Sequence, residues 1–166
     1  SIGDRTRESF CLDAVNIHKL YNAAKDLRKN GDYAKSIDNF QKAIDLARKN
    51  KSPDLELKCL RQMSVCYWEE NDFPEFFNLN KKAYELSLIL NSLKDQAICL
   101  YNIGLYYWKN DNYSSSLKYY DASLTISKKI NSIREQTDTL NNIGIIYKEI
   151  GNYDKAIEYL TVAYNL

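Results

Sequence analysis

The sequence of 166 residues is poor in turn-forming residues, long apolar runs and excess charge of one sign. It has 5 Gly and 2 Pro, which is too few turn-forming residues for a protein built from many short strands. No apolar run approaches the ~18 residues that cross a membrane. The charges nearly cancel, at a net +1, so the basic excess typical of nucleic-acid-binding proteins is missing. The composition favours a nearly all-helical domain that binds neither nucleic acid nor membranes.

Residues that carry most catalytic and metal chemistry are also scarce. With a single histidine, His18, multi-histidine metal sites and Ser-His-Asp arrangements are not expected. None of the four cysteines stands in the short C-x-x-C spacing of zinc and redox sites; they are Cys11, Cys59, Cys66 and Cys99. We expect reduced, packed thiols in an intracellular, cytoplasmic protein without cofactor, metal or enzymatic activity.

One sequence pattern recurs four times at a constant step of 40 residues. A small residue stands four residues after a leucine in each copy: Ala24, Ser64, Gly104 and Gly144. A tyrosine or leucine follows three residues later, and an aromatic residue nine residues later. These offsets indicate two amphipathic helices, here called A and B, joined by a tight turn. A small residue at this position lets helix A approach helix B closely.

The turn between helices A and B has the same kinds of residue in all four repeats. Its first residue tolerates a left-handed backbone, and its second offers an oxygen that can cap helix B. The four pairs are Gly31-Asp32, Asn71-Asp72, Asp111-Asn112 and Gly151-Asn152.

The repeated unit resembles the tetratricopeptide repeat (TPR) family, whose units carry a small residue, an aromatic residue, a G-D/N-Y turn and an alanine in this order. Gly31-Asp32-Tyr33 and Gly151-Asn152-Tyr153 match the turn closely. The resemblance implies a right-handed α-solenoid of about four helix-turn-helix repeats. The 40-residue unit exceeds the usual length of about 34 and is similar to those of kinesin light chains, G-protein-signalling adaptors and bacterial Rap-type peptide receptors.

By this register we predict an N-terminal lead-in over residues 1–12 and a TPR domain over 13–166. The repeats span about 13–51, 52–91, 92–131 and 132–166. The fourth B helix is then truncated, which predicts an exposed apolar end and weak self-association through the repeat ends. The sequence starts at Ser1 without Met or an apolar secretory segment, which indicates an excised piece of a longer protein.

The resemblance places the A helices on an inner, concave face, and four amide side chains stand there two residues before each small residue. They are Asn22, Gln62, Asn102 and Asn142. An amide offers an acceptor and two donors, so it can bind a peptide backbone without reading its side chains. Similar asparagine ladders hold extended peptides in O-linked N-acetylglucosamine transferase and in Rap-type receptors. Alternatively, these amides bond a neighbouring helix.

The other candidates form a basic first part and an aromatic middle of the same face. Trp68 and Trp108 are equivalent positions, and Trp is enriched among binding hot spots; alternatively, both pack between adjacent repeats. The remaining candidate peptide-binding residues are Tyr21, Lys25, Arg28, Arg61, Tyr101 and Asn141. We expect a ligand with apolar anchors near repeats 2 and 3 and acidic residues toward repeat 1.

Two functions from different classes fit these observations. The first is a scaffold that binds an extended segment of a partner protein along the A helices. The second is a regulatory, peptide-sensing module that controls an attached signalling enzyme or DNA-binding domain. A chaperone-tail adaptor is not expected, because neither register of the repeats supplies the paired cations that its carboxylate clamp requires.

Overall fold

The computed structural model of the chain describes the backbone of residues 2–166 and the side chains of residues 13–166. Residues 2–166 form eight α-helices joined by short turns, and no strand occurs in this range. The helices are α1 (Ile2–Lys29), α2 (Tyr33–Lys49), α3 (Pro53–Glu69), α4 (Phe73–Ile89), α5 (Leu93–Lys109), α6 (Tyr113–Lys129), α7 (Ile133–Glu149) and α8 (Tyr153–Tyr164). The A helices are α1, α3, α5 and α7, and each is followed by a B helix. The all-α class and the four helix pairs predicted from the sequence are confirmed.

All seven turns share one left-handed residue, which lets the chain reverse within three residues. Positive φ recurs every 20 residues, at Gly31, Lys51, Asn71, Asn91, Asp111, Asn131 and Gly151. The amide of the next residue reaches back along the helix; for example, the Asp32 N–H donates to the Leu27 carbonyl at 3.0 Å. This bond is typical of a helix end closed by a left-handed residue. The sequence predicted this geometry within each repeat, and the structure has it between repeats too.

The predicted capping of the B helices is confirmed in all four repeats. A side-chain oxygen of the residue before each B helix accepts a hydrogen bond from a backbone N–H of the first turn. The distances are 3.4 Å at Asp32, 3.1 Å at Asp72, 3.1 Å at Asn112 and 3.2 Å at Asn152. Each cap satisfies a donor that the helix itself leaves without a partner.

The small residue of helix A allows the close approach that the sequence predicted. A Cβ added at Gly104 would lie 2.6 Å from two ring atoms of Tyr120, and one added at Gly144 would lie 2.7 Å from Leu160 Cγ. A serine of helix B also ties the pair together in two repeats. Its Oγ donates to the carbonyl of the small residue, from Ser36 to Ala24 at 2.8 Å and from Ser116 to Gly104 at 2.9 Å.

The chain divides into two compact units, residues 1–86 and 87–166. In the first unit the buried side chains include Ile17, Phe40, Ile44 and Met63. The second unit has a core cluster of Tyr120, Leu124, Leu140, Ile143, Ile146 and Ala163. Each unit contains two neighbouring A helices, α1 with α3 and α5 with α7, which contact each other directly.

Helix α1 begins before the predicted start of the TPR domain, and helix α8 is shorter than the other B helices. Helix α1 begins at Ile2, so the backbone of the predicted lead-in continues the first A helix; the side chain of Cys11 lies outside the described residues. Helix α8 has 12 residues, against 17 in the other B helices. Its apolar side chains are widely exposed, with Ile157 at 65% and Tyr164 at 90%.

Candidate functional site

All twelve predicted peptide-binding side chains lie on A helices. Helix α1 carries Tyr21, Asn22, Lys25 and Arg28, and α3 carries Arg61, Gln62 and Trp68; α5 carries Tyr101, Asn102 and Trp108, and α7 carries Asn141 and Asn142. We call the surface formed by α1 and α3 the first A-helix face and that formed by α5 and α7 the second A-helix face. Each belongs to one compact unit and is described separately.

On the second A-helix face, two predicted residues bind each other. Asn142 Nδ2 donates a hydrogen bond to Tyr101 Oη at 2.7 Å. Burial raises the pKa of Tyr101, and the negative charge of Asp138 raises it further, whereas the bond from Asn142 opposes both. The amide of Asn142 therefore links α5 to α7. Its Oδ1 can in addition accept a hydrogen bond.

The first A-helix face also contains a side-chain link between its helices, made by a different pair of positions. Arg28 Nη2 donates to Gln62 Oε1 at 3.4 Å. Arg28 Nε is buried and forms no hydrogen bond within the described side chains. Burial raises the pKa of Tyr21, and the positive charges of Arg61 and Arg28 counteract this rise. Both guanidinium groups are thus close enough to act on the Tyr21 hydroxyl.

The predicted amides Gln62 and Asn142 therefore join neighbouring helices, as the alternative interpretation of the sequence anticipated. Each of these amides keeps bonding capacity beyond the one bond described, because a side-chain amide has two donor hydrogens and two acceptor lone pairs. Asn22 is exposed and Asn102 is half-buried. The interhelical bonds hold Gln62 and Asn142 in fixed orientations.

The two tryptophans are half-buried and differ in what they contact. The Trp68 ring lies 5.2 Å from the Phe73 ring and 4.9 Å from the Phe76 ring, both on the B helix of its own repeat. Trp108 packs against the core of the second unit, and its Nε1 donates to Glu149 Oε2 at 2.8 Å. Trp108 thus lies between adjacent repeats, whereas Trp68 packs within one.

One further candidate, Lys25, lies beside the aromatic ring of Tyr21. Lys25 Nζ lies 5.5 Å from its centroid, in cation–π contact. The edge of Phe40 approaches the same ring, with centroids 5.8 Å apart. Asn141, by contrast, is exposed on the second A-helix face.

A cleft of about 250 Å³ opens between α1 and α3 on the first A-helix face. Its lining residues are Ile17, His18, Tyr21, Asn22, Leu55, Lys58 and Cys59. Burial raises the pKa of Cys59 to about 12, so this wall of the cleft is an uncharged thiol. The sequence pointed to Tyr21 and Asn22 but did not reveal the cleft, because a gap between two helices depends on how their side chains interlock.

Two features are absent from the described residues. Among their side chains there is no group of three or more His, Cys, Asp or Glu that could hold a metal ion. No helix in this part of the chain is long and apolar enough to cross a membrane.

A family model described as tetratricopeptide repeat matches residues 16–88 and 95–166. The chain belongs to the tetratricopeptide repeat family. This TPR fold is generally a non-catalytic, protein-interaction fold. A search of curated proteins by sequence gives no significant match.

Solved structures reproduce the TPR fold at low sequence identity. BtubC (BKLC) from P. vanneervenii matches with a TM-score of 0.82 and 16% identity over 92% of this chain and 63% of BtubC. The Rap conjugation gene regulator of the plasmid pLS20 was solved in complex with the Phr* peptide. It matches with a TM-score of 0.76 and 18% identity over 92% of this chain and 42% of the regulator. TPR-like repeats of a putative kinesin light chain from Podosopora anserina match with a TM-score of 0.72 and 12% identity over 89% of this chain and 72% of the other. The resemblance to kinesin light chain and Rap repeats is confirmed at the level of the fold.

The chain spans less than two thirds of BtubC and less than half of the Rap regulator. The likeness to these proteins concerns one part of each.

Proposed function

We propose that this chain is a protein-interaction module whose A helices bind an extended segment of a partner protein. The observation that supports this most strongly is the meeting of predicted side chains on neighbouring A helices, Arg28 with Gln62 and Tyr101 with Asn142. These contacts fix polar groups of two helices before a ligand arrives. A peptide that lies across them therefore binds at a smaller cost in ordering side chains.

The charges of the two faces differ, which favours a ligand with two kinds of segment. The first A-helix face carries Lys25, Arg28 and Arg61 around the Tyr21 ring. The second carries the half-buried ring of Trp108. We propose that acidic residues of the ligand contact the basic side chains of α1 and that apolar residues contact the aromatic side chains of α3 and α5.

In this proposal the partner is a protein or peptide, and the chain acts in the cytoplasm without a cofactor or a reaction of its own. The family supports a non-catalytic role. The net charge of +1 supports the view that nucleic acid and anionic membranes are not partners.

A regulatory, peptide-sensing module is the second candidate. The Rap conjugation gene regulator supports it, since its similar fold was solved with a bound peptide. A sensor must bind its peptide differently in two conformations, whereas a scaffold need not. Small-angle scattering of the full chain with and without a bound peptide separates the two: a changed radius of gyration favours the sensor, and an unchanged one favours the scaffold.

A display library of random dodecapeptides, selected on the full chain, tests the main proposal. Selected peptides are then labelled with fluorescein, and their dissociation constants are measured by anisotropy. We expect Asn142→Ala to weaken binding about tenfold, because it removes an amide that contacts the peptide. Tyr101→Phe removes the same interhelical bond but keeps the amide of Asn142, and should change binding less. Equal binding to the wild type and Asn142→Ala would show that this amide is purely structural.

A further inference from the structure

The cleft between α1 and α3 is built from one face of each helix. On α1 the lining residues are spaced by one, four and five positions from Ile17, and on α3 by three and four positions from Leu55. These spacings place each set on one side of its helix. Its floor, formed by Ile17 and Cys59, is apolar and tightly packed, since these residues are 0% and 1% exposed.

The size of the cleft suits one side chain better than a cofactor. Its volume of about 250 Å³ lies below the 300–1,000 Å³ of most small-molecule sites. One large apolar side chain of a peptide fits such a volume. Anchors of this kind, inserted in a desolvated pocket, dominate the energy of many protein interfaces.

Two cations lie near the apolar floor. Lys58 stands exposed at the rim, and Arg28 follows along α1 beside the Tyr21 hydroxyl, with its Nε buried and without a partner among the described side chains. Two nearby carboxylates are paired with cations of α2, whereas Asp54, one helical turn before Lys58, is exposed. Glu56 accepts from Arg48 at 2.7 Å, and Asp13 from Lys49 at 3.4 Å.

The equivalent positions of the second A-helix face have the opposite character. By the step of 80 residues, Leu55 corresponds to Glu135 and Lys58 corresponds to Asp138. An acidic ligand segment therefore meets a cation at Lys58 of the first face but a carboxylate at Asp138, the same register of the second, where Arg134 lies 3.9 Å away. The charge pattern thus distinguishes two faces that share one fold.

We propose that the cleft of α1 and α3 takes one large apolar side chain from an acidic peptide segment, whose flanking carboxylates are held by Lys58 and Arg28. The inference rests on the proposed peptide-binding function. It adds the position of the anchor and the chemistry of the segment that supplies it.

The test uses fluorescein-labelled dodecapeptides selected from the random display library on the full chain. We expect them to share a large apolar residue flanked by Asp or Glu. Lys58→Glu should weaken their binding at least tenfold, because it reverses the charge at the rim. Leu55→Trp, which fills the cleft, should weaken it about thirtyfold. Lys82→Glu on α4, the matched control with the same change in net charge, should leave binding unchanged.

Each outcome bears on the inference. Circular dichroism verifies the fold of Leu55→Trp, and Lys58→Glu keeps the test decisive if that variant unfolds. Peptides that lack acidic residues, or that bind Lys58→Glu and Lys82→Glu equally, overturn the inference. If such peptides still lose affinity for Asn142→Ala, the proposed function stands without it. If the library yields no binding peptide at all, both proposals fail together.

Discussion

The side chain of Asn142 on α7 donates a hydrogen bond of 2.7 Å to the Tyr101 hydroxyl on α5. Both residues were predicted from the sequence to bind a ligand, and in the structure they bind each other. The contact gives the second A-helix face a rigid polar group at its centre. Structural and binding roles can therefore coincide in one pair of residues, and variants must separate them.

A double-mutant cycle measures the structural part of this pair. Tyr101→Phe and Asn142→Ala should each lower the free energy of unfolding by about 1 kcal/mol, because each removes a half-buried hydrogen bond. The double variant should lose less than the sum, with a coupling of about 0.5–1.5 kcal/mol. Urea denaturation supplies the values, and the exposed Asn141→Ala is the control. Strictly additive losses would contradict the direct contact.

The glycines of α5 and α7 should respond differently to an added methyl group. In Gly104→Ala the new Cβ meets the ring of Tyr120, which is 1% exposed and cannot move aside. We expect a loss of about 1–3 kcal/mol. In Gly144→Ala it meets Leu160, which is 37% exposed and can rotate toward solvent. The gain in helix propensity, about 1 kcal/mol, should then nearly cancel the clash. Equal losses in thermal or urea unfolding would contradict this account of the packing.

The fold could be predicted from the sequence because its signals are local. Small residues, turn pairs and caps recur at fixed spacing, and each acts within one helix pair. Bonding of the A-helix amides to a neighbouring helix was one of two open interpretations, but their partners could not be predicted, since the pairing of Asn142 with Tyr101 depends on side-chain rotamers in two helices far apart in sequence. The left-handed backbone of Lys51 could not be predicted either, because lysine seldom adopts this conformation. The cleft beside Cys59 could not be predicted, because it is a gap between side chains and no residue type marks it in the sequence.

Stability should fall in alkaline solution because of the buried thiol of Cys59. Burial raises its pKa from 9.0 to about 12, so between these values the unfolded chain loses a proton that the folded chain keeps. The free energy of unfolding therefore decreases as pH rises above about 9, by up to about 1.4 kcal/mol per pH unit, and this contribution is fully present below pH 9.

Urea denaturation at pH 8, 9 and 10 measures this dependence. Cys59→Ala should show a shallower decrease than the wild type, whatever its stability at pH 8. Burial also raises the pKa of Tyr101, so part of the decrease should persist in the variant. An identical pH dependence of both proteins would exclude Cys59 as a cause.

The exposed apolar side of α8 should cause weak self-association. Ile157 is 65% exposed, whereas its equivalent in α6, Leu117, packs against the core of the second unit. A second copy of the chain can cover this surface. We expect the average mass in sedimentation equilibrium to rise with protein concentration, and Ile157→Glu to abolish the rise. Ser114→Glu, an equal charge change on the exposed side of α6, should preserve it. A monomer at every wild-type concentration would refute the prediction.

The location of the bound peptide tests the central claim most directly. A display-selected peptide is added to ¹⁵N-labelled full chain, and the changes in backbone amide shifts are mapped onto the helices. We predict that the largest changes lie on α1, α3, α5 and α7, with those around Tyr21 and Asn142 prominent. Changes concentrated on α2, α4, α6 and α8 would contradict the proposal that the A helices form the binding surface.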